Sequence, residues 1–140
     1  LIYRRQLKIN PKASNMVKFY HAYCLLLLRR QLRLQQKDMA ELLGIKKPRY
    51  TNIETGKVLV LESELRHFFD TLNVDYKEYS DIINYIHKEY KRDTGYIPEH
   101  PKYFGCLLPI PALQKVTLDL LQVGFKLEEE LYKRTTGVQK

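Results

Sequence analysis

The chain has 140 residues, enough for one domain with an appendage and a real core, and its 24 Lys and Arg against 16 Asp and Glu leave a net charge of +8. The excess is one-sided: residues 1–57 hold 13 basic and 3 acidic side chains and residues 58–140 hold 11 and 13, which suggests a polyanion-facing half joined to a scaffold or partner-facing half. The 2 cysteines make no disulfide framework and point to a reducing cytoplasm, and no run approaches the ~18 apolar residues of a membrane span.

Residues 1–16 carry Arg4, Arg5, Lys8 and Lys12 behind an initial Leu1. They are expected to be a basic arm, a cloning remnant or part of a larger protein. The run "FYHAYCLLLLRR" (Phe19 to Arg30) is too short for a signal peptide, ends in two arginines and lacks a small-residue cleavage site. It predicts a helix over about 17–34, with Leu25, Leu28 and Leu32 on the buried face. A second helix is expected over 36–43, stopped by Gly44 in the manner of a left-handed cap. A third is expected over 47–54, with Pro48 in its first turn and Gly56 at its end.

Leu65, Phe68, Phe69 and Leu72 predict a fourth helix, and Asn73-Val74-Asp75 a turn with Asp75 as N-cap. Tyr79, Ile82, Ile83, Ile86 and Tyr90 predict a fifth, ended by Gly95. Residues 94–112 hold four of the six prolines, which is linker chemistry, although their aromatic residues imply a segment lying on a surface. From Pro111 to about Arg134 a last helix is predicted. Leu113, Val116, Leu120, Val123 and Leu127 alternate spacings of three and four along it, as a coiled-coil seam does. That seam is expected either to complete the core or to form a dimer or partner interface. Leu118, Leu121 and Phe125 add a second apolar strip, which asks for more than one neighbour. With no strand alternation and no repeat, the fold class is all-α. The expected division is 1–16 arm, 17–92 helical domain, 93–110 linker and 111–140 C-terminal helix.

The stretch "QQKDMAELLGIKKPRYTNIETGK" (Gln35 to Lys57) carries the functional signal. Lys46, Lys47 and Arg49 stand at the start of its second helix, where cations oppose the helix dipole. Counting Gln36 as first, Ala40 is fifth, Gly44 ninth, Ile45 tenth, Tyr50 fifteenth and Ile53 eighteenth. Ala40 is small where one helix crosses the other, Gly44 makes the turn, and Met39, Leu43, Ile45, Tyr50 and Ile53 fill the wedge. This spacing resembles the helix-turn-helix of the phage-repressor-like regulators, also called the xenobiotic-response-element family. "LLLLRRQLRLQQ" upstream and "LRHFFDTLNVDYKEY" downstream are similar to its flanking helices.

The resemblance implies a five-helix lambda-repressor-like domain with an additional long C-terminal helix. It also implies sequence-specific binding to double-stranded DNA as a transcriptional regulator, in the form of a repressor, with helix 47–54 in the major groove. By that resemblance Lys47 and Pro48 open the groove-facing surface, with Thr51 and Asn52 a turn further on. Gln36 would bond a phosphate or buttress a base-reading side chain, and Lys46, Arg49 and Lys57 would meet phosphates. Arg29 would pair with Glu54 as a structural tie. The cationic tip would regain its dipole cost on the duplex by counterion release.

Three places depart from the family pattern. Lys46 replaces the usual Ser or Thr cap, so the recognition helix is expected to fray when free. "VLVLE" (Val58 to Glu62) replaces an often basic loop and suggests packing against the C-terminal helix or a second subunit. Residues 93–140 match nothing in the family. No phosphate loop, nucleophile elbow or carboxylate pair supports an enzyme, and no cofactor is expected. A zinc site from His21, Cys24, His100 and Cys106 lacks short ligand spacing in its second pair, so no metal is expected either. The remaining rival is an antitoxin or adaptor that grips a toxin-like protein partner through its C-terminal helix. A plain repressor would instead be a cytoplasmic homodimer on a palindromic site.

Overall fold

The computed structural model describes residues 16–90 and 100–136. Among them are six α-helices, one 3-10 helix and no strand: α1 Val17–Leu32, α2 Gln36–Leu43, α3 Lys47–Glu54, α4 Glu62–Thr71, α5 Tyr76–Glu89, a 3-10 helix Pro101–Leu107, and α6 Ile110–Thr136. The arm at 1–15 and the stop at Gly95 lie outside the described residues.

The central element is α1. Ten of its sixteen residues are buried, because α3, α5, α6 and the 3-10 helix all pack on it. A helix apolar over most of its circumference belongs inside, and here it also brings its last turn, with Arg29, against Glu54 at the end of α3. Gly44 ends α2 at φ +75, where a Cβ-bearing residue is strained. Gly56 follows α3 at φ +81. A Cβ there would stand 2.7 Å from the Phe19 ring, so the small residue also lets α1 close on the end of α3. Asp75 caps α5 by accepting from the Lys77 N–H at 2.9 Å.

The proline-rich stretch differs from a plain linker. Pro101 opens a 3-10 turn whose first N–H is the one that proline lacks, and Phe104 is wholly buried. Its ring lies 5.4 Å from Tyr20, 5.7 Å from Tyr23 and 5.8 Å from Tyr90. Aromatic burial outweighs the loop-forming tendency of the prolines and carries the chain across α1 to the start of α6.

The seam of α6 is its inner face. Val116, Leu120, Val123 and Leu127 are buried and Leu113 is half-buried, and the helix packs on α1 and α5 of its own chain. Periodicity had left these positions open between the core and a partner interface. They lie in the core, because α1 and α5 present the apolar surface that covers them. Lys126 pairs with Glu78 of α5 and Arg134 donates to the Thr71 carbonyl at 2.8 Å. The second strip stays outside: Leu118, Leu121 and Phe125 are exposed.

Candidate nucleic-acid interface

Met39, Ala40 and Leu43 of α2 and Tyr50 and Ile53 of α3 are buried together in the core, with Ile45 packed against them. The two helices are thereby fixed at the turn made by Gly44. This packing decides which residues of α3 face outward. Lys46, Lys47 and Pro48 are exposed, Thr51 and Asn52 are partly exposed, and Lys57 is exposed just past the helix. No acidic side chain occupies the first turn of α3, and Lys46 at the cap position makes no side-chain cap bond. The tip is therefore a helix N-terminus with added cations and no side-chain cap, and the described part of α6 leaves it uncovered.

Behind the tip is a closed polar network centred on Glu54, which is 4 % exposed. Arg29 Nε donates to Glu54 Oε2 at 2.7 Å and Arg29 Nη2 to Oε1 at 3.1 Å. Gln36 Nε2 donates to Oε1 at 2.8 Å and the Tyr50 hydroxyl to Oε2 at 2.8 Å. Arg29 Nη1 also donates to the Leu34 carbonyl at 3.0 Å, which ties the α1–α2 turn into the same group. Burial acts to raise the Glu54 carboxyl, but the bonds from Arg29, Gln36 and Tyr50 outweigh it and hold it below the ordinary carboxylate value. Burial and then the Glu54 charge push the Tyr50 phenol up, so it stays a donor.

Gln36 reaches outward as well as inward. Its Oε1 accepts the Thr51 hydroxyl at 2.8 Å. Gln36 thus links Glu54 to Thr51, the buttressing arrangement that was one of its two expected roles. Arg49, expected at a phosphate, has an ion-pair partner within the chain. Its Nε and Nη2 donate to the Glu64 carboxylate at 2.7 and 2.9 Å. Glu64 sits in the first turn of α4 and accepts the Leu61 N–H at 2.8 Å, so its carboxylate is pinned where Arg49 reaches it. The Arg49 bond leads the causes that hold the Glu64 carboxyl below its usual range. This fork-on-fork pair braces α3 against α4. Sequence reasoning missed Glu64, whose signal was only an acidic residue in the first turn of a helix.

The "VLVLE" loop is divided. Val60 is buried and Val58 half-buried, while Leu59 and Leu61 face solvent. The possible zinc ligands have other surroundings. His21 Nδ1 bonds the Tyr79 hydroxyl at 2.8 Å, Cys24 is buried, Cys106 is exposed, and His100 accepts the Lys102 N–H. Among the described residues, no group of three His, Cys, Asp or Glu is placed to hold a metal ion, and no helix is long and apolar enough to cross a membrane.

A buried wedge, a glycine turn and an exposed helix tip are the parts of a module that docks one helix in a groove. Residues 25–84, from mid-α1 into α5, match the family model described as helix-turn-helix. Over this segment the chain is similar to the helix-turn-helix domains of DNA-binding regulators. The 3-10 helix and α6 lie beyond the match. No curated protein and no solved structure matches the chain.

Proposed function

We propose that the chain is a sequence-specific repressor that binds double-stranded DNA as a homodimer and reads the major groove with α3. The observation that carries this reading is the contrast between the two sides of α3. The inner side is held by Tyr50, Ile53 and the Glu54 network, whereas the tip presents Lys46, Lys47 and Pro48 to solvent. Cations at that end gain from phosphates what they lose against the dipole.

On this reading Lys47 hydrogen-bonds guanine O6 and N7, and Asn52 takes adenine N6 and N7. Thr51, its hydroxyl held by Gln36, offers its methyl to thymine. Lys46 and Lys57 meet phosphates and set register. Arg49 holds α3 in place through Glu64. Lys47→Ala or Asn52→Ala should cost ~1–3 kcal/mol and relax preference at one base position. Lys57→Ala should weaken all sequences alike and flatten the salt dependence. Fluorescence anisotropy on specific and random duplexes checks this, and equal losses on both from all three variants would refute direct readout.

The exposed Leu59 and Leu61 beside α3 favour a second reading, an antitoxin or adaptor whose apolar loop grips a partner protein. That protein would co-purify with the chain and be released by Leu59→Glu, which a plain repressor would not require.

A further inference from the structure

We propose that the solvent-facing strip of α6 pairs antiparallel with the same strip of a second copy of this chain. The pairing deepens the repressor reading and rests on it only for its purpose, which is to set two α3 helices on one duplex. At 3.6 residues per turn, Leu118, Leu121 and Phe125 fall on the side of α6 opposite Val116, Leu120, Val123 and Leu127. The inner four are buried, while Leu118 is 62 %, Leu121 39 % and Phe125 58 % exposed. Tyr132, one heptad past Phe125, is exposed too. A helix already packed on one side has no internal use for a second heptad seam on the other.

The strip is complementary to itself in one direction. With the two-fold axis beside Leu121, an antiparallel pair sets Leu118 of each copy opposite Phe125 of the other. Exposed Glu128 and Glu129 flank the C-terminal end of the strip, and Lys115 flanks the N-terminal end. Antiparallel pairing brings each Lys115 toward the other copy's Glu128 and Glu129, whereas parallel pairing gathers four carboxylates. Lys115 holds Asp119 at 2.9 Å and lies 5.3 Å from the centre of the Tyr85 ring within its own chain, two surface contacts of the weak kind that an exchange of partners loses at little cost. The exposed parts of the four apolar side chains come to on the order of 450 Å² per copy. Their polar flanks bring the patch toward the roughly 800 Å² per partner of a standard interface.

Sedimentation velocity over a concentration series tests the interface, with wild type expected to dimerise and Leu118→Glu/Phe125→Glu to stay monomeric. Both positions are exposed, so the double variant should keep the wild-type melting curve. Direction is read by oxidation in a Cys106→Ser background. Leu121→Cys should cross-link with itself, and Leu118→Cys and Phe125→Cys only when mixed. A wild type that remains monomeric, a double variant that dimerises as well, or self-cross-linking at all three positions would overturn the proposal. A monomer that still binds its selected duplex would leave the repressor reading standing. A dimer indifferent to DNA sequence would leave the interface standing alone.

Discussion

Arg29→Ala should destabilise the fold by ~3–5 kcal/mol, the cost of leaving a buried charge without its partner. Glu54 is 4 % exposed and takes two of its four hydrogen bonds from Arg29; Gln36 and Tyr50 cannot supply the missing charge. The pH dependence gives a second signature. The folded Glu54 carboxyl lies below its ordinary value of 4.5. Its contribution is therefore present above that pH and is lost as pH falls through the lowered folded value. Without Arg29, burial pushes the carboxyl up, and protonation then relieves the variant. Urea melts of both proteins should differ most near neutral pH and converge in acid. At a temperature where the variant is still folded, its DNA affinity should equal that of wild type. A folded Arg29→Ala protein that fails to bind DNA would make Arg29 a contact residue instead.

Acid should weaken the wild-type fold well before its carboxylates titrate, because of His21. Burial lowers the His21 imidazole from 6.5 to about 4, and its Nδ1 lies 2.8 Å from the Tyr79 hydroxyl. The imidazole tautomer decides which of the two donates, and burial keeps the ring neutral. Between pH 6.5 and 4 the unfolded chain binds a proton that the folded chain refuses, so stability rises with pH across this window. The slope is ~1.4 kcal/mol per pH unit, about 3 kcal/mol in all. Above 6.5 this term is fully present as stability, and below 4 it has gone. His21→Gln keeps a hydrogen-bonding partner for Tyr79 without the titration, so its urea midpoint should stay level from pH 6.5 to about 5. Parallel slopes for the two proteins would show that His21 does not set the acid response.

The parts of the domain that were legible in the sequence are those in which a residue type is forced by local geometry. Gly44 must sit at positive φ, Ala40 must be small beneath a crossing helix, and Pro48 is tolerated in a first turn. Together they gave α2 and α3 the bounds seen in the structure. The Arg29–Glu54 tie came from resemblance alone, since no periodic pattern links positions 25 residues apart. Arg49–Glu64 was not legible, because the pair depends on how α4 returns past α3. The aromatic residues of 94–112 imply a segment laid on a surface, and Phe104 does anchor it, but four prolines hide the 3-10 turn that buries the ring. In α6 the spacing of Val116, Leu120, Val123 and Leu127 predicted a packed face. Spacing does not tell a helix of the same chain from one of another molecule, and here the neighbours are α1 and α5.

Selection of bound fragments from random duplex DNA, repeated with Lys47→Ala, asks most directly whether the exposed tip of α3 enters the groove. Wild type should enrich a palindrome with half-sites about one helical turn apart, and the variant should lose preference at one position in each half-site. No enrichment over random sequence, or an unchanged palindrome from Lys47→Ala, would mean that α3 does not read the bases through that tip.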